Sequence, residues 1–312
     1  MRPMMVLGGA GFVGHHLVPR LLEEGRDVVV LDNLSRGSIE RFGPHLGDPR
    51  LHVVRGDVTD AVLLRTVVAD VRPTIVFHLA AIHFIPYCVA HPSEALVVNV
   101  VGTQLVLDAL AAVPDARLVF ASSADVYAPS AAPHAETDPI ATSNVYGASK
   151  RFCEELFAIE RAKDPARRIL AARLFNVFGP GETNPHVLPD ILESLRRGGT
   201  LRLGNLEPRR DYVHARDVAD ALARLATYAG PETVFNVGTG VGTSVRELVA
   251  TLSEVLGRSL RVEQDPARVR PIERMHLVAD AGRARRALGW TPRMTLREGL
   301  RDLVQRELAA VA

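Results

Sequence analysis

Six short runs rich in apolar and β-branched residues, at 4–7, 28–31, 51–55, 75–78, 117–121 and 169–174, alternate with longer helix-patterned stretches. No other feature restricts the fold as much. Strands joined through helices pair in parallel, and the helices then cover both faces of the sheet. The first run leads straight into Gly8-Gly9-Ala10-Gly11-Phe12-Val13-Gly14, with glycines at 8, 11 and 14 before a helical pattern that begins near His15. Glycines there permit a tight turn and the close approach of a pyrophosphate, whose charge sits at the helix N-terminus. Asp32 ends the second run, in Leu31-Asp32-Asn33-Leu34. A carboxylate at that point accepts hydrogen bonds from an adenosine ribose and repels a 2′-phosphate, which favours NAD over NADP. Arg36 weighs on the other side, since a guanidinium there can accept a phosphate.

Beyond Phe175 the rhythm breaks into segments punctuated by proline and glycine, with one further strand at 233–237 and helices near 189–197, 245–256 and 296–309. The pattern predicts an α/β protein built on a Rossmann-type doubly wound parallel sheet, its seventh strand coming from 233–237. The expected division is a dinucleotide-binding part, residues 1–174 plus roughly 210–238, and a smaller interleaved α/β substrate part, roughly 175–209 plus 239–312.

Composition narrows the class of partner. A formal net charge of +1 without basic blocks leaves no electrostatic footprint for nucleic acid or an anionic membrane. The N-terminal MRPMMVLGGAGF has too short an apolar stretch for a signal peptide, and no uninterrupted apolar stretch is expected to span a membrane. The cytoplasm is the expected location. Cys88 and Cys153 are the only cysteines, neither a disulfide framework nor a metal-ligand cluster, and no metal is expected.

Residues 92–113 are apolar nearly all round, through Leu96, Val97, Val98, Val100, Val101, Leu105, Val106, Leu107 and Leu110. One sheet cannot bury every face of a helix. Either a neighbouring helix or a second subunit covers the outer face, and a dimer is the favoured expectation.

Tyr146-Gly147-Ala148-Ser149-Lys150 sets a phenol and an ammonium four residues apart, on one face of a helix. An ammonium beside a phenol favours the phenolate and brings a proton-transfer group toward neutrality. The chain has only two lysines, Lys150 and Lys163, among many arginines, so the compact ammonium at 150 reads as a chemical requirement. By chemistry alone, Asp57 is a strand-end turn residue and His78 a core histidine.

Taken in order, these segments resemble the extended short-chain dehydrogenase/reductases that act on nucleotide sugars, most closely the UDP-glucose 4-epimerase and sugar-nucleotide dehydratase group. The similarity is carried by Gly8 to Gly14, Asp32-Asn33-Leu34, Gly56-Asp57-Val58, His78-Leu79-Ala80-Ala81, Asn99-Val100-Val101-Gly102-Thr103, Ser122 to Tyr127, Tyr146 to Lys150, Arg173 to Pro180, Arg210 to His214 and Phe235 to Gly238. It implies that NAD is held by Gly8, Gly11, Phe12, Val13 and Gly14 at its phosphates and by Asp32 and Asn33 at the ribose. Asp57 and Val58 would flank the adenine, with Leu79, Ala80 and Ala81 along the groove and Asn99 near the cofactor. Tyr146 becomes the acid/base, Lys150 the ribose anchor that tunes it, and Ser123 the hydroxyl that aligns the reacting sugar oxygen. A nucleotide-diphosphate sugar would meet His83, Ser122, Asp125, Asn176, Arg210, Arg270 and Glu273, with Ser122 in a supporting part. Phe84 and Tyr87 face the sugar or belong to the core. Asp211, Tyr212 and Asp217 read as structural. A homodimer would form through helices 92–113 and 146–161.

Residues 123–125 bear on the reaction. The 4,6-dehydratases of the group commonly carry threonine, aspartate and glutamate where this chain has Ser123, Ala124 and Asp125. Ala124 has no proton to give, and Asp125 is one methylene short of the usual base. The leading expectation is an NAD-dependent 4-epimerase. A 4,6-dehydratase with Asp125 as base is the alternative, supported by similarity of Leu203 to Arg210 to GDP-mannose 4,6-dehydratases. A nucleotide-sensing protein without turnover is a third.

Overall fold

A computed structural model describes residues 2–269 and 274–308. In chain order the strands are β1 (Met4–Leu7), β2 (Val28–Asp32), β3 (Leu51–Arg55), β4 (Ile75–His78), β5 (Arg117–Ser123), β6 (Ile169–Leu174), β7 (Asn176–Phe178), β8 (Leu201–Leu203), β9 (Arg209–His214), β10 (Val234–Val237), β11 (Gly242–Ser244), β12 (Val262–Gln264) and β13 (His276–Leu277). The helices are α1 (Gly14–Glu23), α2 (Ala61–Val71), α3 (Ile85–Ala90), α4 (Pro92–Leu96), α5 (Gly102–Leu110), α6 (Val145–Lys163), α7 (Val187–Arg196), α8 (Ala215–Thr227), α9 (Val245–Leu256), α10 (Gly282–Leu288) and α11 (Leu296–Glu307).

Seven strands form one parallel sheet in the order β10-β6-β5-β4-β1-β2-β3. Its inner strands β1, β2 and β4 are buried along their whole length, which is why they read as continuous apolar runs rather than alternating ones. One face packs on α1 and α8, with Trp290 beneath them, and the other on α2, α5 and α6. The strand order reverses between β1 and β4, and ligands of such sheets bind at the carboxyl ends of the strands beside that reversal.

A second sheet orders β11-β9-β13, with β7 also paired to β9, and β12 pairs with β8. Helices α7, α9 and α11 pack there around Leu192, Leu248 and Leu300. Arg209–His214, expected with the dinucleotide-binding part, pairs instead with β7, β11 and β13, while α8 and β10 return to the large sheet. Asp211 is structural, as its fully buried carboxylate accepts hydrogen bonds from Thr239, Gly240 and Ala279. Asp217 likewise accepts the backbone N–H groups of Arg293 and Met294.

The stretch Pro92–Leu110 needs a correction. A π-helical turn at Val97–Val101 joins α4 to α5, and the combined helix has the length and mean hydropathy, 1.3, of a membrane span. It is nonetheless built into the fold. Asn99 and Thr103 interrupt its apolar surface and are buried against the sheet and α6, as expected of a core helix.

Candidate functional site

At the carboxyl ends of the strands lies a cleft of about 1910 Å³. Small-molecule sites are usually roughly 300–1,000 Å³, so there is room for two extended ligands end to end.

One half is built by the loop after β1. Gly8 has φ +74°, and a Cβ on it would lie 2.6 Å from the Ala80 backbone nitrogen. A Cβ on Gly14 would lie 2.3 Å from the carbonyl oxygen of Gly9. Both positions exclude a side chain, so the loop folds flat and directs the uncapped N-terminus of α1 at the cleft. Asp32 braces this loop, one carboxylate oxygen accepting Ala10 N at 2.9 Å and the other Leu34 N at 2.8 Å. Asn33 donates to Asp57 at 2.6 Å, and Asp57 also accepts from Thr59. Phe12, Val13, Val58, Leu79, Ala80 and Ala81 complete the wall. Arg36 lies on the rim with its guanidinium 5.5 Å from the ring centre of Tyr87.

In the middle of the cleft, β5 delivers Ser123 and α6 delivers Tyr146 and Lys150. Asn144 caps α6 by accepting from Gly147 N at 2.8 Å, which sets Tyr146 in the first turn and Lys150 one turn on. The Ser123 hydroxyl lies close enough to the Tyr146 phenol to favour its ionised form, and it accepts from Asp125 N at 3.1 Å. Lys150 is buried and donates to the carbonyl of Ala121 at 2.7 Å, with its ammonium 5.9 Å from the Tyr146 ring centre. The expected downward tuning of the phenol by this lysine is therefore not seen, its ammonium being spent on Ala121. Burial pushes Tyr146 above the ordinary phenol range, Ser123 opposes that shift, and the charge of Asp125 adds to it. Burial also lowers Lys150 to about 8.

The far half is lined by His83, Asp125, Asn176 and Arg210. Two expected contact residues turn their polar groups away from the cleft, Ser122 from its lining and Asn99 from behind it. Ser122 donates to Glu154 at 2.5 Å, and Glu154 pairs with Arg173 at 2.6 Å. Asn99 spends its amide on Ile82 N, Ile82 O and the Ser149 hydroxyl, so it holds the loop after β4 to α6 instead of facing the cleft. Arg270 and Glu273 lie outside the described residues. Sequence reasoning passed over Glu182, Asn184 and His186, which the loop between β7 and α7 places on the cleft wall. It also passed over Arg274, which donates to the carbonyl of Tyr127 at 2.8 Å. Isolated polar residues in an irregular stretch gave no periodic signal.

Comparison with known proteins agrees with this geometry. The family profile described as GDP-mannose 4,6 dehydratase matches residues 5–303. A UDP-glucose 4-epimerase of Mycolicibacterium smegmatis is 36% identical over 309 residues, covering 96% of this chain and 97% of that one. The structure of a UDP-glucose 4-epimerase with UDP-glucose from Thermotoga maritima superposes with a TM-score of 0.91 at 28% identity, covering 99% of this chain and 100% of that one. That of a Thermus thermophilus UDP-glucose 4-epimerase complex with NAD gives 0.88 at 30% identity, covering 99% of each. The chain belongs to the extended short-chain dehydrogenase/reductase family, in its group of NAD-dependent nucleotide-sugar epimerases and dehydratases.

Proposed function

We propose that the protein is an NAD-dependent nucleotide-sugar 4-epimerase that interconverts UDP-hexoses of the glucose and galactose type. The observation that carries the reading is the placing of Ser123 and Tyr146 together at the centre of the cleft, with Lys150 one turn on, next to Ala124, a buried methyl where dehydration needs a proton donor. Gly8 to Gly14 would hold the NAD phosphates, Asp32 and Asn33 the adenosine ribose, Asp57 and Val58 the adenine, and Lys150 the nicotinamide ribose. When bound, NAD supplies the hydride acceptor and a positive charge that opposes the upward push of burial on the phenol. Tyr146 takes the C4 hydroxyl proton and later returns it, while Ser123 aligns the sugar oxygen. Asn176 and Arg210 hold the diphosphate; Arg270, expected at the same phosphates, and Glu273, expected at the nucleotide ribose, lie outside the described residues. The wide far half of the cleft lets the 4-keto sugar present its other face. The relatives named UDP-glucose 4-epimerase support this choice of sugar.

Incubation with UDP-glucose, followed by NMR, is expected to show inversion at C4. A 4-keto-6-deoxy product would establish the 4,6-dehydratase reading, which is favoured by one observation, the place of Asp125 on the cleft wall close enough to influence Tyr146. Bound NAD without turnover of any nucleotide hexose would establish a sensor.

We also infer a homodimer through helices 92–113 and 146–161. Leu96, Val97 and Val101 on one, and Phe152 and Ile159 on the other, are 42% to 52% exposed, too much apolar surface for helices that face water. Phe152→Glu is expected to give a monomer by light scattering. The cytoplasm is the proposed compartment, a reading supported by the buried, unpaired thiols of Cys88 and Cys153.

A further inference from the structure

His83, Glu182 and His186 each present one nitrogen or oxygen atom, and these atoms all lie within 4.8 Å of one another. They come from two loops, one after β4 and one between β7 and α7, and all three line the far half of the cleft. The His83 and His186 rings stack at 27° with centroids 6.1 Å apart, and Phe84 packs edge-on against His186 at 5.5 Å. Ligands of a tetrahedral zinc ion stand about 3.4 Å apart, given metal distances of about 2.0–2.1 Å. The three side chains reach that spacing by closing up to about 1.4 Å, a movement open to residues on loops.

The hydrogen bonding around them is that of a cation site with a stand-in at its centre. The backbone carbonyl of Ala81 acts on the His83 ring, the kind of outer-shell partner that orients a metal-bound imidazole. Its Nε2 meets the Asn184 amide nitrogen at 3.0 Å. The same amide nitrogen lies 3.3 Å from Glu182 Oε1, which also accepts Asn184 N at 2.8 Å. Two electron-pair donors from separate loops thus converge on one electropositive NH2 group.

We propose that His83, Glu182 and His186 bind a divalent first-row transition ion of the Zn²⁺ class, with its remaining coordination position open to the cleft. Two imidazoles and one carboxylate favour such an ion over Mg²⁺ or Ca²⁺, which prefer oxygen ligands. Three protein ligands with an open fourth position are the pattern of a reactive rather than a structural zinc site. Glu182 supplies negative charge against Arg36 and Lys150, whose positive charges both reach His83. The open position takes an oxygen of whatever molecule occupies the far half, so the ion joins the protein's contacts to its substrate. Binding of the ion does not depend on which sugar that is.

The test is titration of the chelator-treated, NAD-containing protein with Co²⁺, read by its visible d–d absorption, with Zn²⁺ competition and Mg²⁺ as control. One equivalent of Co²⁺ is expected, displaced by Zn²⁺ and not by Mg²⁺. Glu182→Gln, nearly isosteric, and His186→Asn are each expected to weaken Co²⁺ at least about tenfold, with circular dichroism and NAD content unchanged. Asn184→Asp, which puts an oxygen ligand where the amide now stands, is expected to tighten binding. Absence of d–d absorption in the parent protein overturns the proposal, as does equal Co²⁺ affinity across the parent, Glu182→Gln and His186→Asn, or displacement of Co²⁺ by Mg²⁺ at equal concentration.

Discussion

Lys150 donates its ammonium hydrogen to the carbonyl oxygen of Ala121 at 2.7 Å. Ala121 is two residues before Ser123 on β5, so this bond ties α6 to the strand that carries the aligning hydroxyl. The lysine thereby sets the Ser123 and Tyr146 geometry as well as reaching a cofactor. Lys150→Met is expected to lower turnover at least about 100-fold, through misalignment, and to reduce retained NAD. Lys150→Arg should not rescue, because the lysine side chain is buried and a planar guanidinium is broader than an ammonium. Steady-state turnover and NAD content of the purified variants check this, and half-restored turnover in Lys150→Arg would refute it.

Tyr146→Phe keeps the ring and removes the phenol at the centre of the site. Loss of general acid/base catalysis is worth about 10²–10⁴-fold in turnover, and NAD should remain bound because the phosphate loop is untouched. In the parent protein, ultraviolet titration should find this phenol above its ordinary range without NAD, as its burial dictates, and lower once NAD is bound. An unchanged midpoint on loading would show that the cofactor's charge does not reach Tyr146.

Asp125 separates the two reactions. As the base of a dehydratase it would be indispensable, and Asp125→Asn would abolish turnover. For an epimerase the change removes a negative charge that raises the Tyr146 phenol, so turnover should stay within a few-fold and its pH optimum should move down. A pH profile of C4 inversion in both proteins decides the matter.

Much of the large sheet and of the dinucleotide half of the cleft was legible because both are local in sequence. Buried parallel strands such as Val28–Asp32 have no solvent face to interrupt their apolar run, and the glycines after β1 sit next to the strand that positions them. The far half was less legible. His83 and Asn184 are 101 residues apart and meet only through the fold. Lys150 binds a backbone carbonyl, which leaves no mark in the side-chain pattern. Asn99 was recognisable in order but not in orientation, since which way an amide faces depends on Ile82 and Ser149 beside it. Arg209–His214 sets Arg209, Arg210, Asp211 and His214 within six residues, a pattern from which neither a strand nor the sheet it joins can be read.

Gly14→Ala tests the phosphate loop. The added methyl would sit 2.3 Å from the Gly9 carbonyl oxygen, a backbone atom with no rotamer to move into. Overpacking of this kind costs about 1–3 kcal/mol, and the loop must open to relieve it. Differential scanning calorimetry should show a lower Tm, and the purified variant should carry little NAD. Full NAD occupancy would show that the loop tolerates the displacement.

Acid should unfold the protein through histidines held neutral. Burial lowers His78 to about 3 and His214 to about 4, and it lowers His16 to about 2 with help from the adjacent His15. All three folded values lie below the unfolded value of 6.5, so between those limits the unfolded chain binds more protons. Stability is therefore intact above pH 6.5 and falls as the pH drops toward each folded value, by up to about 1.4 kcal/mol per pH unit for each group. His78 is fully buried, with Nε2 on the Thr103 hydroxyl at 3.0 Å. His78→Gln removes one titrating group, at some loss of stability at neutral pH. Urea unfolding between about pH 7 and 4.5 should give a curve for His78→Gln that starts lower and falls less steeply, by up to about 1.4 kcal/mol per pH unit. Parallel curves for the two proteins would mean that His78 gains no proton on unfolding.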